Sequence, residues 1–119
     1  MGIDSHRDLL VWQKAMDLVE LVYSITNLFP TSETYRLTAQ LTRAAVSVPA
    51  NIAEGYGRAS TRDYAHFLSI AKGSLMETET LLMLAVRLKY LTDSSSEAAL
   101  SLVREIDKMI TSLRKKLLA

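Results

Sequence analysis

Apolar positions recur at alternating steps of three and four along nearly the whole chain, the period of an α-helix rather than of a strand. In the first segment, about Leu9 to Leu28, Trp12, Met16, Val19 and Tyr23 form one stripe, and Ala15, Leu18, Val22, Ile25 and Phe29 form a second beside it. Pro30 closes the segment, because the residue before a proline avoids helical dihedrals. A second helix is predicted from Thr31 or Ser32, whose hydroxyls can cap free N–H groups, to about Tyr56, with Glu33 favourable in its first turn. Leu37, Leu41, Ala44, Ala45, Val48 and Ile52 share one side of it. Pro49 removes a backbone hydrogen bond there, so a kink near Pro49, or two helices nearly in line, is expected. Gly55 and Gly57 are read as its stop.

A third helix opens at the cap Ser60-Thr61-Arg62-Asp63 and extends to about Tyr90. Tyr64, Leu68, Ala71, Leu75, Leu82 and Ala85 form one stripe, and Leu81, Leu84, Leu88 and Leu91 another. Ser94 and Glu97 fit a capping box before a fourth helix from about Ser96 to Leu117, striped by Ala99, Val103, Ile106, Ile110, Leu113 and Leu117. Arg114, Lys115 and Lys116 stand in its last turn, where cations complement the helix dipole. Four helices with short connections predict an all-α fold: an antiparallel up-down-up-down four-helix bundle, one domain over residues 1–119, its second helix kinked near Pro49. The stripes on the first and third helices are wider than one core needs. A fully covered core helix would explain them, and so would a second buried face shared between subunits. The second explanation is favoured, because small monomers rarely expose large apolar patches. Trp12, Leu18, Tyr23, Leu81, Leu84 and Leu88 are then the subunit-interface candidates.

Composition narrows the class. The 119 residues contain no cysteine, which excludes a disulfide framework, a thiolate zinc site and a cysteine nucleophile. The N-terminal stretch MGIDSHRDLL is charged where a secretion signal needs apolar residues, and His6 breaks the myristoylation pattern. The longest apolar run, Leu81 to Val86, is far short of the ~20 residues that a membrane span needs. A cytoplasmic location with no membrane partner is expected.

The stretch from Gln40 to Arg58 carries the candidate chemistry. At about 100° per residue, Gln40, Arg43, Ser47, Asn51, Glu54 and Arg58 project into one sector beside small apolar neighbours. A ligand-binding or catalytic stripe would look like this. A structural polar network of Arg43, Ser47, Asn51, Glu54 and Arg58 would too, and it is the favoured reading. The two histidines, His6 and His66, have no metal-ligand spacing, and the paired Glu-x-x-His motifs of di-iron bundles are missing. No nucleophile elbow or glycine-rich phosphate loop occurs. No catalytic, cofactor-binding or metal-ligating residue is assigned, and the chain is read as no enzyme. With 14 basic and 13 acidic side chains, net charge alone makes no case for nucleic acid. Arg58, Arg62, Arg114, Lys115 and Lys116 are nonetheless nucleic-acid candidates, because a ring of subunits would repeat such a patch and bind phosphate in a salt-dependent way.

Several of these segments together resemble a known family. They are Asp8-Leu9-Leu10-Val11-Trp12-Gln13-Lys14-Ala15, Phe29-Pro30 with Glu33 and Tyr35, and the pattern Arg43-Ala44-Ala45-x-Ser47-x-Pro49-x-Asn51-Ile52-Ala53-Glu54-Gly55. Asp63-Tyr64-x-x-Phe67-Leu68 and Gly73-Ser74-x-x-Glu77 complete the match. The chain is similar to the bacterial four-helix-bundle proteins encoded by intervening sequences of 23S rRNA genes. Arg36 is one departure, standing before Leu37 where the family often has glycine. The resemblance implies an antiparallel four-helix bundle and a homopentamer. It also implies kinship with the accessory variability proteins of diversity-generating retroelements, which are pentameric, basic, and bind nucleic acid and a reverse transcriptase. The expected function is a non-enzymatic oligomeric scaffold with RNA or DNA as partner. The alternative is a protein-binding adaptor with no nucleic-acid role. A small-molecule enzyme using Glu54 and Arg43 ranks last.

Overall fold

Four helices of 17 to 27 residues make up most of residues 4–119, the part of the chain that the computed structural model describes. Residues 1–3, the start of the stretch inspected for a leader, lie outside it. The helices are α1 (Leu10–Thr26), α2 (Leu37–Tyr56), α3 (Thr61–Arg87) and α4 (Asp93–Leu118). Single 3-10 turns at His6–Asp8 and Thr31–Glu33 precede α1 and α2. α2 packs on α1 and α3, and α4 on α1 and α3, while the backbones of α1 and α3, and those of α2 and α4, stay apart. This is the square arrangement of an up-down-up-down bundle, with α1 diagonal to α3.

The core lies on the shared axis. Ala15, Leu18 and Val22 of α1 meet Leu41, Ala45, Val48 and Ile52 of α2, Leu68, Leu75 and Leu82 of α3, and Val103, Ile106 and Ile110 of α4, all fully buried. Burial of each large side chain contributes about 1.5–3 kcal/mol relative to leaving it in water. Leu18 and Leu81, expected at a subunit interface, belong to this core: Leu18 is fully enclosed and Leu81 is 6% exposed. On α1 the stripe of Ala15, Leu18 and Val22 fills the core, and the second stripe of the third segment divides, Leu81 and Leu91 turning inward, so Leu18 and Leu81 have no surface left for a partner. Trp12 is half-buried against the core, and Tyr23, Leu84 and Leu88 face outward.

Several details of the helices differ from the sequence reading. The segment from Thr31 is not continuous with α2: the 3-10 turn ends, the backbone leaves the helical region at Arg36 (φ −119°, ψ −107°), and α2 begins at Leu37. The cap comes from Glu33 rather than from Thr31 or Ser32, its Oε1 accepting the Leu37 N–H at 3.2 Å. α2 then runs unbroken through a buried Pro49, so the two-helix alternative is not taken. Gly55 lies inside α2 and is buried rather than ending it. A Cβ there would stand 2.8 Å from Phe67 Cβ and 3.2 Å from the Tyr64 carbonyl, so the absence of a side chain at this glycine lets α2 and α3 come close at this turn.

At its start, α3 has the expected cap, Ser60 Oγ accepting the Asp63 N–H at 3.1 Å. Its end comes three residues early, at Arg87. The N–H of Tyr90 bonds back to the Ala85 carbonyl at 2.9 Å, and Lys89 takes the left-handed conformation (φ 67°). α4 starts at Asp93, capped by the reciprocal pair Thr92 and Ser95 rather than Ser94 and Glu97. Ser96 is instead buried, with its hydroxyl turned back to the Asp93 carbonyl.

Candidate nucleic-acid interface and the polar seam

Antiparallel packing gathers the C-terminal end of α2, the start of α3 and the end of α4 at one end of the bundle. The link is explicit: Arg114 Nε donates to the Ala65 carbonyl at 3.2 Å, across 49 residues of sequence. Arg58, Arg62, Arg114, Lys115 and Lys116 therefore share this end. Their states differ. Arg58 lies with its guanidinium carbon 4.6 Å from the Phe67 ring centroid and its Nη2 3.9 Å from Glu54 Oε1, both contacts fixing its direction. Arg114 is half-buried and tied to Ala65. Arg62, Lys115 and Lys116 are exposed and have no ion-pair or hydrogen-bond partner among the described residues. Beside them a hollow of about 550 Å³ opens between α3 and α4, lined by Ser69, Lys72, Thr111, Arg114 and Leu118 among others. Lys72 is held at its edge by Asp107 (3.3 Å) and Thr111 (2.9 Å). Acids are present too, in Glu54, Asp63 and Asp107, but two of these three are occupied by Arg58 and Lys72.

The polar sector of α2 does face α3, but it divides into separate clusters. At its centre Ser47 Oγ and Ser74 Oγ lie 2.8 Å apart, and Asn51 Nδ2 donates to the Ser47 carbonyl (2.8 Å) and hydroxyl (2.9 Å). Toward the far end Gln40 Nε2 donates to Glu77 Oε2 at 3.4 Å. Glu54 and Arg58 pair at the surface near the basic end, where an exposed pair contributes a few tenths of a kcal/mol. Arg43 is exposed over a groove of about 220 Å³ with Gln40, Ser47, Ser74 and Glu77, and has no partner among the described residues. Arg43 therefore does not join a network with Ser47, Asn51, Glu54 and Arg58. Ser74 and Glu77 complete the seam from α3, and only the packing of the two helices brings them to it.

The most enclosed carboxylate is one that periodicity did not single out. Glu33, 7% exposed, accepts from the Leu37 N–H and, at 3.0 Å, from the Tyr90 hydroxyl, 57 residues away. The Leu37 N–H first, then the Tyr90 hydroxyl and Arg36, hold its carboxyl below the ordinary 4.5, against the opposing effect of burial. The hydrogen bond to Glu33 in turn raises the Tyr90 phenol, with burial adding to it. The group joins the start of α2 to the segment that follows α3. Tyr64 carries a buried hydroxyl without a partner among the described residues, and burial, then the nearby Tyr56, push its phenol upward. Among the described residues no three His, Cys, Asp or Glu side chains cluster to hold a metal ion, and no helix is long and apolar enough to cross a membrane.

These features define the class: an all-α four-helix bundle whose polar side chains tie helices together and which carries a group of cations at one end. The family of 23S rRNA-intervening sequence proteins matches residues 7–112, and the chain belongs to that family. A solved structure with the same fold is a protein of unknown function from the S23 ribosomal protein family of Bacteroides thetaiotaomicron. It is 29% identical, with a TM-score of 0.80, over 89% of this chain and 99% of that one. No curated protein matches the chain.

Proposed function

We propose that this protein is a non-catalytic scaffold that assembles as a homopentamer and holds the phosphate backbone of RNA or DNA against its basic bundle end. The observation that carries the reading is the meeting of Arg58, Arg62, Arg114, Lys115 and Lys116 at one end, three of them without a protein partner. One copy of such a patch neutralises few phosphates. Repetition around a ring multiplies the count, and phosphate binding scales with that count through counterion release. The kinship with the retroelement accessory proteins that the family resemblance implies supports the same reading. The protein-adaptor alternative draws on a different observation, the outward Tyr35, Leu84 and Leu88.

One experiment separates them: binding of a labelled RNA and a labelled DNA at two salt concentrations, on protein whose mass is fixed by light scattering. The expected result is a mass near five chains, and an affinity that falls at least tenfold from the lower to the higher salt. Lys115→Glu/Lys116→Glu should weaken binding of every sequence alike and flatten the salt dependence. Failure to bind either nucleic acid at low salt overturns the nucleic-acid role and leaves the adaptor reading. A monomeric mass overturns the assembly.

A further inference from the structure

The basic end of the bundle holds planar groups among its cations. The Arg58 guanidinium lies over the Phe67 ring, and the Arg58 side chain is still 46% exposed. Its contact with Glu54, at 3.9 Å, is an ion pair too long to be a hydrogen bond, so the guanidinium N–H groups are unspent among the described residues. His66 is the next residue back along α3, its ring centroid 5.7 Å from that of Phe67 with the planes at 72°. The imidazole is exposed and makes no hydrogen bond among the described residues. Arg62 stands four residues earlier on the same face of α3, exposed and unpaired. Phe67 turns toward α2, where it meets Gly55, and Ala65 toward α4, where Arg114 joins it. Helical periodicity therefore sets His66 and Arg62 between the Arg58–Phe67 pair and the hollow lined by Arg114 and Lys115.

Cations alone hold phosphates, and they do so for a duplex as well as for a single strand. A planar group adds affinity only for a base whose face is uncovered. In a duplex the neighbouring base pairs cover each face, and only edges and phosphates reach a protein. An unpaired base offers its whole face, on which guanidinium planes and aromatic rings stack. We infer that the basic end selects single-stranded nucleic acid over duplex, an unpaired base stacking on the Arg58 guanidinium with Phe67 behind it and His66 as a second platform, while Arg62, Arg114 and Lys115 hold the adjoining phosphates. The inference rests on the nucleic-acid reading above and adds the form of the strand. Glu54 is part of the argument. Its carboxylate beside Arg58 repels a phosphate but not a neutral base, so of the cations at this end Arg58 is the one fitted to a base. Phe67 and Glu54 already fix the direction of the guanidinium, so less side-chain freedom is lost when a base settles on it.

The test uses the full chain and a labelled single strand of mixed sequence, as RNA and as DNA, beside the duplex of the same sequence. Binding is read by fluorescence anisotropy at two salt concentrations, and folding by far-ultraviolet circular dichroism. The parent should bind the single strand, as RNA or as DNA, about tenfold or more tightly than the corresponding duplex. Arg58→Lys keeps the charge and removes the plane. It should stay helical and lose about fivefold or more on the single strand, with the parent's salt dependence and the parent's affinity for duplex. His66→Ala, at an exposed position, should also weaken the single strand alone, and it serves as the test should Arg58→Lys disturb the helix end. Equal affinity for single strand and duplex overturns the inference. So does an Arg58→Lys protein that stays helical and either matches the parent or loses single strand and duplex alike; in each case the phosphate-binding reading stands. A parent that binds neither form at low salt overturns the nucleic-acid reading, and this inference with it.

Discussion

Replacing Gly55 by alanine probes a close approach of α2 to α3. The added Cβ would lie 2.8 Å from Phe67 Cβ, 3.1 Å from Tyr64 Cδ1 and 3.2 Å from the Tyr64 carbonyl oxygen. Phe67 Cβ and the Tyr64 carbonyl are fixed to the α3 backbone and cannot rotate aside. Restoring ordinary carbon–carbon separation of about 3.5 Å requires α2 and α3 to part by about 0.7 Å at this turn. Overpacking of this kind costs about 1–3 kcal/mol. The better helix propensity of alanine returns at most about 1 kcal/mol, and less here because Gly55 is next to last in α2. The net expectation is a loss of about 1–2 kcal/mol, a fall in Tm of roughly 4–8 °C for a chain of this size. Urea unfolding followed by circular dichroism at fixed protein concentration should give a lower midpoint with an unchanged slope. Gly57→Ala is the internal control: its Cβ would meet only carbonyl oxygens at 3.6 and 3.7 Å, so its midpoint should stay close to the parent's. A Gly55→Ala midpoint equal to or above the parent's would refute the argument that this glycine is required by helix contact.

Lys89→Gly should raise stability by about 1 kcal/mol, because Lys89 holds a left-handed φ of 67° that glycine adopts without a Cβ clash; a thermal melt reads this directly. Tyr64→Phe removes a buried hydroxyl with no partner among the described residues, so its urea midpoint should match or exceed the parent's by up to about 1 kcal/mol. Glu33 makes stability depend on acid. Its carboxyl is held lower in the folded chain than in the unfolded one, so between those two values the unfolded state binds the extra proton. The stabilisation is complete above the unfolded value near 4.5 and is lost as pH falls through the folded one. Urea midpoints across pH 3–6 should therefore drop toward acid less steeply for Glu33→Gln than for the parent, and parallel curves would reject this role.

The caps and the seam show where local reading stops. Ser60 was legible as a cap because one hydroxyl stands before one periodic run. In Thr92-Asp93-Ser94-Ser95-Ser96 four hydroxyls compete, and the register is decided by which one becomes buried: Ser96 goes under the helix and Thr92 is left to cap. Glu33 could not be found as a joining residue, because its partner Tyr90 lies 57 residues away. The polar sector of α2 was legible as a face, yet its division into Ser47–Asn51–Ser74, Gln40–Glu77 and Glu54–Arg58 depends on what α3 sets opposite each turn.

Four helices and their approximate lengths follow from the residue order alone, since the apolar period is a local property repeated over many turns. It marked two adjacent stripes on α1 and α3 but could not say which would be covered. Packing decided that: Leu18 and Leu81 went into the core, while Tyr23, Leu84 and Leu88 were left outside. Packing also brought Arg58 and Arg62 to the same end as Arg114, Lys115 and Lys116. Helical periodicity relates residues three and four apart on one helix. Which faces of different helices meet is a property of how all four fill one core, and only the tertiary structure contains it.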